Sequence, residues 1–317
     1  MTEQNSSHSP APSSHRGVSL VELMVALALG LLVVGVVFAN YLGSRQAQRT
    51  STALGQMTED ANLAFNLMRR YISLAGYSDV TGIDGTGLTR SYTGKSVFGC
   101  NNGFTSNVTR GIDQLSCSNS NTPKPDAISV TYQANASNSL MGGRKASPNT
   151  PEPRDALGQF LYLGSAGQPH YMAEARFMVD ANGQFLVAGN GGGSDSSNQA
   201  PSLATAISAG EALFANVVDM RIWYGLSGTN SGKPDQIVNR YVEAQDIGAV
   251  TQSAWHNVTA VRVCLLLSSA TEVLEGKTPY YGCDAQVAAQ PALTTPADRR
   301  LYKAFTTTIY IPNRLGG

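Results

Sequence analysis

The chain has 317 residues, a formal net charge of zero and 14% charged residues, well below the usual quarter. It is long enough to bury a substantial core and to hold one to three domains. Neutral balance, with no Lys/Arg cluster between aromatics, excludes a duplex nucleic-acid binder, which needs a basic footprint.

Residues 1–17, MTEQNSSHSPAPSSHRG, are polar and rich in Ser and Pro, a composition that does not fold. Residues 18–42, VSLVELMVALALGLLVVGVVFANYL, are long enough to cross a hydrocarbon core at about 1.5 Å per residue. Glu22 is their only charge. A carboxylate at a bilayer centre costs roughly 2.5–3.5 kcal/mol, and each Leu, Val or Phe returns about 0.3–0.6. The Leu, Val and Phe residues from Leu23 to Phe38 offset that cost, and Glu22 sits near one end, where it is smaller. A secretory signal peptide is the alternative, but its apolar core is shorter, about 7–15 residues, and ends in a small-residue cleavage site. Here the acid opens the run instead.

The helix is expected to continue past the membrane, since no proline stands between Pro12 and Pro123. After a polar patch at 43–52, apolar residues recur at Leu54, Met57, Ala61, Ala64, Phe65, Met68, Ile72 and Ala75. Steps of three and four make this a helical stripe. Gly76 is placed to end it as a C-cap. A helix from Leu20 to Ala75 would be roughly 80 Å long, and Gly30, Gly35 and Gly43 could bend it.

Beyond Gly76 the pattern turns to strands. Residues 126–132, 175–179, 184–187, 220–224, 258–268 and 305–311 read as β, as does the short run Phe160–Leu163. VTAVRVCLLLS at 258–268 is the strongest of these, with Arg262 its only charge. Residues 133–157 read as irregular, 190–199 (NGGGSDSSNQ) as a loop, and Ala212–Val218 as a short helix. One long helix followed by a mostly antiparallel sheet is an α+β fold.

The four cysteines, Cys100, Cys117, Cys264 and Cys283, form no CxxC and have no helpful histidines for a zinc knuckle. In an exported domain they would pair. Three connectivities are open to four cysteines, and local closure favours Cys100–Cys117 and Cys264–Cys283. There is no GxGxxG after a strand, no GxxxxGK[ST], no HExxH and no GxSxG. His170 and His256 stand isolated, Asp219 and Asp246 lack a partner at convincing spacing, and Asp126 reads as a turn-fixing acid. Trp223 and Trp255 read as core aromatics. No catalytic residue, metal site or cofactor is expected.

Gly17, Val18 and Glu22, followed by that apolar run, resemble the prepilin cleavage and methylation motif, although its usual first mature residue is Phe or Met rather than Val. AFNLMRRYISLAGYSD at 64–79, ALFANVVDMRIWYG at 212–225, AWHNVTAVRVCLLLSS at 254–269 and RRLYKAFTTTIYIPNRL at 299–315 resemble blocks of the PilW family of minor pilins. The resemblance implies a pilin-like fold. It has a leader at 1–17, a transmembrane and filament-core helix at 18–42, an amphipathic continuation at 43–76 and a β-rich periplasmic domain at 77–317. It implies cleavage after Gly17 by a prepilin peptidase, methylation of the Val18 amine, and an assembly role for Glu22 opposite the Val18 amine of a neighbour. The implied partners are other minor pilins, the major pilin, the inner-membrane assembly platform, the lipid bilayer and a tip adhesin. The implied location is the inner membrane, then the pilus. A type II secretion pseudopilin shares these features. A membrane-tethered periplasmic binding module or hydrolase, with Glu22 incidental, is the rival from another class.

Overall fold

The computed structural model describes residues 17, 19–84, 87–91, 94–105, 112, 115–119, 122–144, 147–161, 170–191, 210–230, 233–249, 253–286 and 291–313. Val18, the leader up to Arg16 and most of the expected loop at 190–199 lie outside these. The chain divides into two compact units, Met1–Arg49 and Thr50–Gly317.

Helix α1, Leu20–Leu74, runs without proline through both. In the first unit its side chains are exposed, from Leu20 through Leu42. In the second, the expected stripe is buried: Met57, Ala61, Ala64, Phe65, Met68 and Ile72 all sit in the core, joined by Tyr71. The helix stops at Gly76, whose φ of +74° only glycine adopts cheaply. A Cβ there would lie 2.2 Å from the Asn313 carbonyl oxygen, and the Asn313 side chain donates to Ser73 O at 3.0 Å. The C-terminal tail thus closes over the helix end.

The second unit holds two main antiparallel sheets. The first is built from β3 (Val97–Cys100), β4 (Ala127–Ala134), β7 (Tyr171–Val179), β8 (Phe185–Gly189) and β9 (Glu211–Phe214), in that order. The second has the order β11-β10-β12-β15, with β10 Val217–Asn230, β11 Lys233–Val242, β12 Val258–Ser268 and β15 Tyr302–Tyr310. Small two-stranded pieces join β1 (Val80–Asp84) to β2 (Gly87–Arg90), β5 (Met141–Arg144) to β6 (Ser147–Pro153), and β13 (Tyr280–Tyr281) to β14 (Leu293–Thr294). A four-residue helix, α2 (Ala244–Ile247), precedes β12. The α1 stripe packs on both sheets. Tyr71 meets Tyr132 of β4 and Phe177 of β7 at 6.2 and 6.3 Å between ring centroids, and Ile309 of β15 and Val263 of β12 belong to the same core.

Two expectations change. Residues 212–218 form no helix: β9 ends at Phe214, Asn216 turns the chain at φ 67°, and β10 begins at Val217. Ala, Leu and Phe favour a helix locally, but cross-strand pairing of Val217 with Leu267 decides the outcome. Residues 133–157 are not irregular throughout, since β5 and β6 form a hairpin there. Of the expected run Phe160–Leu163, Phe160 makes an isolated bridge to Arg154, and 162–163 lie outside the described residues. β11 was not visible in KPDQIVNRYV, an edge strand bonded on one side only.

Candidate functional site

The start of α1 is organised by Ser19. Its Oγ accepts the Glu22 backbone N–H at 3.4 Å, and its carbonyl accepts Leu23 N–H at 3.1 Å. Ser-x-x-Glu is the spacing of a capping box, with Ser at the N-cap and Glu at N3. The spacing is visible in the sequence alone. Glu22 lies in the first turn of α1, where the helix dipole favours an acid. From Glu22 the helix presents an unbroken exposed apolar surface. Leu31 is 72% and Leu32 64% exposed, and each such side chain is worth about 1.5–3 kcal/mol when fully removed from water. The helix is long and apolar enough to cross a membrane. At the far end of the run the Arg45 guanidinium lies 4.7 Å from the Tyr41 ring centre, a cation and an aromatic of the kind that gather at membrane–water interfaces.

The second unit pairs most of the buried polar groups that are described within itself, with His170 Nε2, His256 Nε2 and the Tyr224 hydroxyl as exceptions among the described residues. Cys100 is bonded to Cys117 and Cys264 to Cys283, and no described cysteine is free. The first bond ties β3 to the segment that covers the face of β7 opposite α1. On that face Glu174 and Arg176 are both fully buried and meet at 2.7 Å. Glu174 also accepts from Ser129 Oγ at 2.5 Å and from the Ile112 N–H at 3.1 Å. Burial pushes its carboxyl pKa up, opposed by Arg176 and these hydrogen bonds.

Asp126 joins the two sheets. Its N–H donates to Met220 O, and its carboxylate accepts the Ile222 N–H, each at 2.8 Å. Burial raises its pKa to about 7, outweighing the Ile222 hydrogen bond and Arg221 at 3.4 Å. Asp219, unpartnered in the sequence reading, bonds Arg221 Nε at 3.0 Å, and Asp246 accepts the Glu243 N–H at 3.2 Å in the cap of α2. His170 and His256 have pKa values lowered chiefly by burial. The Nε2 of each lacks a hydrogen-bond partner among the described residues. Trp223 and Trp255 are buried, the latter donating to Gly248 O at 3.1 Å. A cavity of about 610 Å³ lies between Asn101, Cys117 and Gln245. Its Asn101 side chain is already bonded to Gln245 N–H and to Glu243. Among the described residues no group of three or more His, Cys, Asp or Glu is placed to hold a metal ion.

Gly17 is exposed just ahead of Ser19. Gly17 and Glu22 belong to the first unit, and the four cysteines to the second.

Two families match the chain. The Type IV Pilus-assembly protein W family, PilW, matches residues 184–313, which hold β8 to β15. The Prokaryotic N-terminal methylation motif matches residues 12–38, which hold Gly17, Val18 and Glu22. No curated protein matches. Among solved structures, a type IV-like pilin from Thermus thermophilus is similar at 13% identity and a TM-score of 0.37, covering 82% of this chain and 98% of its own.

Proposed function

As this chain is a PilW-like minor pilin of type IV pilus assembly with an N-terminal methylation motif, we propose that prepilin peptidase cuts it after Gly17 and methylates the amine of Val18. The leader is 1–17, the membrane and filament-core segment 18–42, its amphipathic continuation 43–76 and the periplasmic domain 77–317. The apolar run anchors the subunit in the inner membrane. It then enters the filament, where other pilin helices replace lipid around it. Its work is that of a structural subunit, in the priming or tip complex with other minor pilins, next to the major pilin, the assembly platform and a tip adhesin.

One observation supports this reading: the longest exposed apolar run among the described residues opens with Ser19-x-x-Glu22, where Ser19 Oγ accepts the Glu22 N–H, two residues after Gly17. In a filament core a lone carboxylate is expensive. The new amine of Val18 on a neighbour supplies the opposite charge and sets axial register among contacts that are otherwise weakly directional.

Mass analysis of the N-terminus of membrane-extracted protein tests the reading. The expected first residue is methylated Val18, and Gly17→Glu should leave the leader attached. An intact Met1 end in assembled filaments would reject it.

A further inference from the structure

The second sheet ends on β15, which pairs with β12 in unbroken register from Tyr302↔Ser268 to Tyr310↔Ala260. One step beyond each end, the Ile311 N–H donates to Thr259 O and the Ser269 N–H to Leu301 O, both at 2.8 Å. Antiparallel ladders alternate bonded and non-bonded pairs. The odd-numbered residues of β15 therefore turn their N–H and C=O groups to β12. Those of Ala304, Thr306 and Thr308 point away from it. No described residue bonds them, and Thr306 and Thr308 are exposed.

Such a row is a template for another strand, and proteins normally blunt it with proline, bulges or short edges. The other edges of the two sheets are blunted here. β11 carries Pro234 and two register shifts, β9 has four residues and a shift, and β3 has four residues. β15 has nine residues, no proline and no shift. It also adjoins α1: Arg69 Nη2 donates to Thr307 Oγ1 at 3.2 Å. The open edge is thus continuous with the helix through which subunits of this kind assemble.

We infer that β15 is a docking edge that receives an extended strand from a different pilin subunit lying beside this one. The inference rests on the assembly reading above. A second copy is the wrong occupant on geometry. Antiparallel β15–β15 pairing has its two-fold axis normal to the sheet, which reverses the Thr50–Leu74 part of α1 between copies, whereas subunits of one filament run their helices alike. Head-to-tail pairing would offer one of the blunted edges: β11 with its proline and register shifts, or the four-residue β9 or β3. The guest strand bonds through its backbone, so it needs an extended segment free of proline, and its side chains meet Thr306 and Thr308 on one face and Phe305 and Thr307 on the other.

Thr306→Pro removes one outward N–H and leaves the β12 ladder intact, while Thr306→Ala removes only the side chain. Full-length variants expressed in the native cell are compared by quantitative mass spectrometry of the inner membrane and of sheared filaments. Thr306→Pro should be processed normally and fall at least tenfold in the filament fraction, with Thr306→Ala near wild type. Equal incorporation of Thr306→Pro and wild type overturns the docking edge. Wild type absent from filaments overturns the assembly reading itself. Hydrogen exchange on the unmodified chain needs no variant: the Thr306 amide should slow at least tenfold when the chain is co-purified with its native minor-pilin complex, relative to the chain alone. Unchanged exchange there, or equal slowing in a complex holding only copies of this chain, overturns the inference.

Discussion

The first unit and the second handle the same physical problem in opposite ways. From Leu20 to Leu42 the helix buries nothing of its own and keeps a carboxylate at its head, so its apolar surface must be covered from outside. The second unit closes on itself, with two disulfides, a fully buried ion pair and an acid that ties one sheet to the other. A chain built this way can change the surroundings of its helix without drawing on the packing of its second unit.

The sharpest way to break that contrast is to alter one residue on each side. Arg176→Met leaves Glu174 buried beside no cation, which costs about 3–5 kcal/mol. For a domain of this size that lowers Tm by roughly 6–20 °C. Leu31→Ser, in the exposed run, should leave domain melting of the detergent-solubilised chain within about 0.5 kcal/mol of wild type. Equal losses in the two variants would show that the units do not divide the work.

A second test concerns covalent closure. Cys264 and Cys283, separated by 19 residues, close a loop whose chain-entropy contribution is about 3 kcal/mol. Replacing both with Ala should lower Tm measurably. Thiol labelling of the unfolded, unreduced wild type should find no free cysteine among the four. Stoichiometric labelling would refute the pairing.

The smallest effect is electrostatic. Asp126 has a pKa raised by burial to about 7, so the folded state holds its proton more tightly than the unfolded state does. Between about pH 4 and 7 the native state binds more protons, and Asp126's contribution to stability falls as pH rises. Asp126→Asn, which keeps an acceptor for the Ile222 N–H, should flatten that part of the Tm–pH curve by a few degrees, at about 2–4 °C per kcal/mol. A curve of unchanged slope would show that Asp126 ionises freely.

The helix was legible because nothing competes with it: the apolar run, the stripe ending at Ala75 and Gly76 all agree with α1, Leu20–Leu74. β12 was equally clear, since VTAVRVCLLLS is buried on both faces in a central position. Edge strands were not. KPDQIVNRYV, with its Pro234, pairs only with β10, so its sequence answers to one neighbour and to solvent. The buried ion pair was hidden for a related reason. YMAEARFMV alternates as though Glu174 and Arg176 faced water, yet the segment beyond Cys100 covers them. At the helix start Gly17 and Glu22 announced themselves through the order of leader, acid and apolar run. The Ser19 contact is less legible, because a Ser ahead of an apolar run serves equally in a leader or a loop, and only the backbone geometry sets its Oγ against the Glu22 N–H.

Glu22→Gln bears most directly on the central claim, that the exposed helix is completed by neighbouring subunits. Gln serves an N3 capping position as Glu does and eases membrane insertion, so cleavage after Gly17 and domain stability should survive. What changes is the charge, which the proposed function sets opposite the Val18 amine of a neighbour. Breaking a buried pair costs about 3–5 kcal/mol, enough to disfavour incorporation roughly a hundredfold or more. The measurement is the ratio of processed chain in sheared filaments to that in the inner membrane. That ratio should collapse for Glu22→Gln while the processed variant accumulates in the membrane. An equal ratio for variant and wild type would contradict the charge-pair account of assembly.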